Sequence, residues 1–364
     1  VSKLSIEPVD TKRSKNPQNS WAFKADFHCV NSVHNVTGGI EDLARTLCLD
    51  FETRNTGECK LNKVGAWRYA VDPTTEILTL PYRNGDGEPR LWTPTDGLCE
   101  PLASLAADPA VTFVSFGDFD AVIWEQIMVG RFGFPAIPLS RWHNAQAACS
   151  YFALPRKLEK ALPVIGSKIE KDLEGRRLVL SLSRPDRKTG KYPVVTPEIR
   201  ERVGAYSRID TDGLVAIHTA TGILPERERQ VWEMDQAINR RGIGIDSEFV
   251  RAAKAIAEAS TDTLLEEYAS LTDGLSPHQV SATREWLKGR GFALANLQDD
   301  TVNEALDLIL PDDVRRTLQI RQIAAPTSLK KLDAMLACVS EGGRARGLFQ
   351  YHAATPGRWS AQLI

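Results

Sequence analysis

The chain has 364 residues, 42% hydrophobic and 25% charged, and its 45 Lys and Arg against 47 Asp and Glu give a net charge of −2. These are the proportions of an ordinary soluble protein, long enough for about two to three domains. They exclude a membrane-spanning bundle, since no run approaches roughly 18 consecutive apolar residues, and a disulfide scaffold or zinc site, since the six cysteines are scattered without a C-x-x-C pair.

Residues 1–43 are polar and irregular and lack an apolar signal core, so they read as a polar N-terminal segment of a cytoplasmic protein. From Thr46 the pattern becomes strand-like. Thr46-Leu47-Cys48-Leu49 is a short apolar run ending at Asp50-Phe51-Glu52, and 63–70, 76–82 and 90–92 follow as further strand candidates. Asp72-Pro73-Thr74 and Asn84-Gly85-Asp86-Gly87 supply turn chemistry between them. The expectation is an antiparallel meander built on the strand that carries Asp50. Another apolar strand is expected over 111–115, and the stretch from Asp120 to Met128 has helical spacing. A mixed sheet with alternating helices indicates an α/β domain over 44–222.

Past Leu224 the composition changes. Pro225 at a first helical turn opens an amphipathic helix that Gly242 ends. Asp246 caps a second, longer helix to about Ser270, and further helices are expected over 277–288, 302–310 and 312–339. Residues 223–346 thus read as almost wholly helical, with no convincing strand.

The triplet Asp50-Phe51-Glu52 carries the most chemical information. Successive side chains of a strand alternate between faces, so Asp50 and Glu52 share one face while Phe51 turns into the core. Two carboxylates that close repel unless a cation lies between them, and oxygen donors suit Mg²⁺ or Mn²⁺. Metals paired about 3.5–4 Å apart drive in-line displacement at phosphorus. By itself the triplet reads more readily as a solvated strand end. Tyr206 and Asp210 lie four apart in a helix-compatible stretch and so face one way; alone they read as a surface helix pair. With Asp120 the set becomes four acids and a tyrosine, suited to water attack on a terminal phosphodiester with Tyr206 orienting the water. Between Arg156 and Arg202, thirteen Lys and Arg face seven Asp and Glu, a surplus that suits either phosphate contact or a solvated face. His28, His34, His143, His218 and His278 show no metal-ligand spacing and read as surface or packing residues.

Together these residues resemble the proofreading 3′→5′ exonuclease domain of family A DNA polymerases. Asp50-Phe51-Glu52-Thr53 is similar to the first exonuclease motif, Phe119-Asp120 to the end of the second, and Tyr206-x-x-x-Asp210 to the third. The run from Val231 to Asp246 resembles the opening of the thumb in bacterial and bacteriophage members. Tyr351-His352 with Thr355-Pro356-Gly357-Arg358-Trp359-Ser360 resembles the approach to the palm. The resemblance runs in order from about Leu47 to Ile364. It implies an RNase H-like α/β exonuclease domain, a helical thumb over 223–346 and the start of a polymerase palm over 347–364. It also implies a two-metal Mg²⁺ or Mn²⁺ site on Asp50, Glu52, Asp120 and Asp210, catalytic assistance from Tyr206, and DNA contacts at Lys330, Lys331 and Arg358. The partners implied are a single-stranded 3′ end, primer–template DNA and, if the polymerase is split, a separate palm-and-fingers chain; no membrane is involved.

Two departures stand out. The second motif of the family carries an asparagine before its aspartate, whereas Ser115-Phe116-Gly117-Asp118-Phe119-Asp120 lacks it, is one residue shorter and offers Asp118 as a second acid. No palm aspartates or fingers helix follow Arg358, so this chain alone is expected to show exonuclease activity and no primer extension. A stand-alone 3′→5′ exonuclease, or a non-catalytic DNA-binding or assembly module, remain the alternatives.

Overall fold

The apolar run at Thr46 forms β1 (Thr46–Leu49), buried throughout because it lies inside a sheet. It pairs antiparallel with β3 (Thr75–Asn84) and parallel with β5 (Thr112–Ser115). The chain leaves β1 at Asp50, and β2 (Glu52–Asn55) then pairs with the same β3, with a register shift between Glu52 and Thr53. β4 (Arg90–Trp92) pairs antiparallel with β3, and β6 (Trp142–Asn144) pairs parallel with β5. The sheet is therefore mixed, and the antiparallel meander accounts only for its β1–β4 side. This computed structural model describes residues 45–364 apart from 56, 58, 171, 184, 187, 325–329 and 355. The polar segment 1–43, with His28, Cys29 and His34, lies outside the described residues.

Residues 63–70, expected as a strand, belong to helix α1 (Leu61–Val71). Lys-Val-Gly-Ala-Trp-Arg-Tyr-Ala is rich in strand-favouring aromatic and branched residues, but its setting outweighs that preference. Trp67, Tyr69 and Ala70 bury against the sheet, and the helix is interrupted at Gly65, whose φ of +77° only glycine adopts cheaply. After α2 (Glu100–Ala107), a helix begins as α3 (Phe119–Ile123), continues as a π-helical stretch over Trp124–Val129 and closes with α4 (Gly130–Phe132). Trp124 sits in the centre of this layer, edge-on to Phe51, Phe113 and Phe134. The opposite face of the sheet is covered by α5 (Ala145–Tyr151), α6 (Leu158–Val164), α7 (Leu173–Leu182) and the long α8 (Pro197–Thr221).

The second region is helical as expected: α9 (Glu226–Arg241), α10 (Ser247–Leu271), α11 (Val280–Gly289), α12 (Asp299–Leu306), α13 (Asp312–Ala324) and α14 (Lys330–Cys338). Asp246 caps α10 by accepting the Phe249 amide. Of the helix expected over 312–339, the described residues form α13 and α14, and 325–329 between them lie outside the described set. Strands occur here too. β7 (Ile243–Gly244) and β8 (Val339–Ser340) flank β9 (Arg344–Ala345), and β10 (Phe349–Gln350) pairs with β11 (Ser360–Ala361). Pieces of two residues are too short for a period to register in the sequence.

The described residues belong to one compact unit. Trp232 of α9 and Tyr351 bury in the same core as Phe51 and Trp124, so the helical region is packed onto the α/β layer. Five described cysteines are free thiols. Among the described residues no helix is long and apolar enough to cross a membrane.

Candidate active site

Two elements far apart in sequence build the site. Asp50 and Glu52 lie at the break between β1 and β2, where the chain keeps its register against β3 and buries Phe51. Helix α8 lies across β3 and brings the third acid. It can approach closely because its sheet-facing positions are small: Gly204, Ser207 and Thr211 are all buried. A Cβ at Gly204 would stand 2.5 Å from Leu91. Ser207 and Thr211 satisfy their hydroxyls on main-chain carbonyls one turn back. Thr196 starts the helix by accepting the Ile199 amide, with Pro197 at the first turn.

Carboxylate oxygens of Asp50, Glu52 and Asp210 all lie within 4.8 Å of one another, partly exposed. Tyr206, one turn before Asp210, is 5% exposed, with its phenol beside the Asp210 carboxylate. Burial, then the charges of Asp210 and Glu52, push its phenol above the ordinary tyrosine range. Tyr206 therefore stays protonated and is available as a hydrogen-bond donor.

Asp120 sits behind the cluster. It is 3% exposed, and its Oδ1 accepts the amide of Phe51 at 3.0 Å. Burial, followed by the negative charge of Asp50, raises its carboxyl well above the usual carboxylate range. An acid in that position favours a proton or a cation. A divalent cation at the cluster would return Asp120 to its ionised form. The donor set is hard oxygen throughout and fits Mg²⁺ or Mn²⁺ better than a softer metal.

Asp118 faces elsewhere. Its Oδ1 accepts Asn144 Nδ2 at 2.6 Å, and its side chain lies beside Gln236 of α9. Of the two acids in the second motif, Asp120 is the one beside Asp50. Lys330 and Lys331 are exposed on the first turn of α14, and Arg358 is exposed where its carbonyl accepts the Ala354 amide. None of these three is part of the acid cluster. Within the basic stretch Arg156 is engaged rather than solvated: it donates to Ser150 Oγ, to Gln146 Oε1 at 2.9 Å and to the carbonyls of Tyr351 and His352. His143 and His218 are buried with ring centroids 5.2 Å apart, as packing residues, and His278 is exposed.

Sequence reasoning missed Gly175. It lies in α7, and a Cβ there would stand 2.5 Å from Tyr206 Cβ and 2.6 Å from its ring. Only a glycine lets α7 hold Tyr206 this closely. A glycine inside a helical pattern, which costs about 1 kcal/mol against alanine, was the available signal.

Asp235 of α9 is fully buried, with Oδ2 accepting from Gln236 and Asn239 and Oδ1 without a hydrogen-bond partner. Burial and the nearby charge of Asp118 push its carboxyl up to about 7. A folded-state value above the unfolded value of about 3.9 means the folded chain binds the proton more tightly. This contribution to stability is complete below about pH 4 and is lost as pH rises through about 7. Asp235→Asn mimics the protonated form and should remove the loss. Urea unfolding at successive pH values should show the variant gaining on the parent over that window; a difference constant with pH would contradict the assignment.

No family model matches the chain. It is 27% identical over 330 residues to a DNA polymerase of Bacillus phage SP02, covering 88% of this chain and 50% of that protein. Its fold is similar to that of the POL domain of Pol1 from M. smegmatis, solved in complex with DNA primer-template and dNTP. The TM-score is 0.50 at 12% identity, over 89% of this chain and 52% of that one. The chain thus spans about half the length of each. The chain is thus similar to one DNA polymerase in sequence and to another in fold.

Proposed function

We propose that the chain is the proofreading part of a family A DNA polymerase, working in the cytosol of a bacterial or phage-infected cell. In this reading 44–222 is a metal-dependent 3′→5′ exonuclease of RNase H-like fold, 223–346 is the thumb and 347–364 begins the palm. The observation that carries it is the convergence of Asp50, Glu52 and Asp210 within 4.8 Å, with Tyr206 beside Asp210.

Asp50, Glu52 and Asp210 would hold Mg²⁺ or Mn²⁺, with Asp120 completing the set from behind. The bound metal supplies positive charge for the attacking and leaving oxygens of an in-line displacement. The Asp120–Phe51 bond keeps the main chain between Asp50 and Glu52 in place. Tyr206, protonated and held by Gly175, would orient the attacking water. The substrate is the 3′-terminal phosphodiester of single-stranded DNA. Lys330, Lys331 and Arg358 would contact the phosphates of primer–template duplex, fixing register without reading sequence.

A 5′-labelled single strand should be shortened from its 3′ end with release of mononucleotides. EDTA should stop the reaction and Mg²⁺ or Mn²⁺ restore it. Tyr206→Phe should bind metal as the parent does and digest about 10²-fold more slowly or less, since one orienting hydrogen bond is lost. Primer–template affinity should fall linearly with salt on a double-logarithmic plot and ignore sequence. A parent protein with no metal-dependent 3′ digestion would leave the non-catalytic module as the better account.

A further inference from the structure

The second acidic motif contains a carboxylate that the proposed reaction does not use. Asp118 is the N-cap residue of α3, the helix whose first turn carries Asp120. An aspartate there ordinarily accepts an amide of its own helix. Asp118 makes no such bond. Its side chain reaches out to Asn144 Nδ2 at 2.6 Å and to Gln236 of α9, with the charges of Arg156 and Arg240 nearby.

From Gln236 the line of contacts continues away from the site. Gln236 Nε2 donates to Asp235 Oδ2 at 3.1 Å, and Asn239 Nδ2 donates to the same oxygen at 3.1 Å. Asn239 then holds β10 by both its polar atoms. Its Nδ2 donates to the Phe349 carbonyl and its Oδ1 accepts the Phe349 amide, each at 2.9 Å. Asn144, Asp235, Gln236 and Asn239 are all buried. Each bond broken in a buried polar line leaves a group desolvated, which holds its members together.

We infer that Asp118 is a positioning residue, and that the line Asp118–Gln236–Asp235–Asn239–Phe349 couples the acid cluster to the segment that resembles the start of the palm. A shift of β10 would move α9, and α9 would move the N-terminus of the helix that carries Asp120. The rate arm of the test rests on the exonuclease reading; the metal-binding arm does not.

The test is a double-mutant cycle on the full chain with Asp118→Ala and Asn239→Ala. It is read by calorimetric Mn²⁺ affinity and by kcat and KM on a single-stranded oligonucleotide. Each single change should weaken Mn²⁺ binding and lower kcat, both by about tenfold, with KM unchanged. The double variant should match the worse single variant rather than reach the roughly hundredfold product of independent sites. Asp118→Asn keeps an oxygen acceptor for Asn144 and should recover most of the loss. Gln236→Ala breaks the same line and replaces Asn239→Ala in the cycle if near-UV dichroism shows that variant unfolded. Parental Mn²⁺ affinity in either single variant, or a double variant at the product, overturns the coupling. A parent that binds Mn²⁺ but digests no DNA removes the exonuclease reading and leaves the binding cycle to decide; a parent that binds no Mn²⁺ overturns both.

Discussion

Asp50→Ala should reduce metal-dependent 3′ digestion by about 10³-fold, since a metal centre supplies several kcal/mol of charge stabilisation and about 1.4 kcal/mol is tenfold in rate. Asp50 is one of three carboxylates within 4.8 Å, and its charge is the largest electrostatic influence on Asp120. Its loss would remove one of the acids proposed to hold the metal and one of the charges acting on Asp120. Asp120→Ala should cost a comparable factor, because the buried amide of Phe51 loses its acceptor and the strand break between Asp50 and Glu52 loses its anchor. Asp118→Ala should cost only about tenfold, as expected of a residue that positions without touching the cluster. The check is single-turnover digestion at saturating Mn²⁺. Equal losses in the Asp118 and Asp120 variants would contradict the separation of their roles.

Trp124→Ala should destabilise the fold by about 3–5 kcal/mol, the range for removing a large aromatic from a packed core. The side chain is 1% exposed, with Phe51, Phe113 and Phe134 packed edge-on at ring-centroid distances of 6.5, 5.4 and 5.6 Å. Its indole N–H donates to the Pro135 carbonyl at 3.0 Å, so truncation also removes a partly buried hydrogen bond. The consequence reaches the site because Phe51 is the residue between Asp50 and Glu52. With its ring unsupported, the two carboxylates lose their common anchor, and digestion should fall further than the unfolded fraction explains. Urea titration gives the first quantity, and activity at a temperature where the variant is fully folded gives the second. A loss below about 1 kcal/mol would mean that the core closes over the gap.

Several features were legible because a local rule governs them. The apolar run before Asp50 and the turn residues around Asp72 and Gly85 mark β1 and both ends of β3. Pro225, Gly242 and Asp246 mark the boundaries of α9 and the start of α10. Other features were not. Residues 63–70 carry strand-favouring side chains, yet α1 forms there because Trp67, Tyr69 and Ala70 bury against the sheet. The strands β7 to β11 are two residues long and have no pattern to read.

Two pairs, Asp50 with Glu52 and Tyr206 with Asp210, could be seen from the sequence because their spacing is local, two positions apart at the strand break and four apart on α8, while Asp120 joined them through the motif resemblance. Alternation and helical pitch are properties of neighbouring residues, so they survive in the one-dimensional record. That Asp210 meets Asp50 and Glu52, that Asp120 rather than Asp118 stands behind them, and that Gly175 holds Tyr206 are matters of tertiary structure. Each depends on how closely two elements distant in the chain approach: α8 on its small residues, α3 under the tie from Asp118 to α9, and α7 against a ring that tolerates no Cβ. Such distances are set by packing and by the geometry of buried hydrogen bonds, which join residues the chain itself keeps far apart.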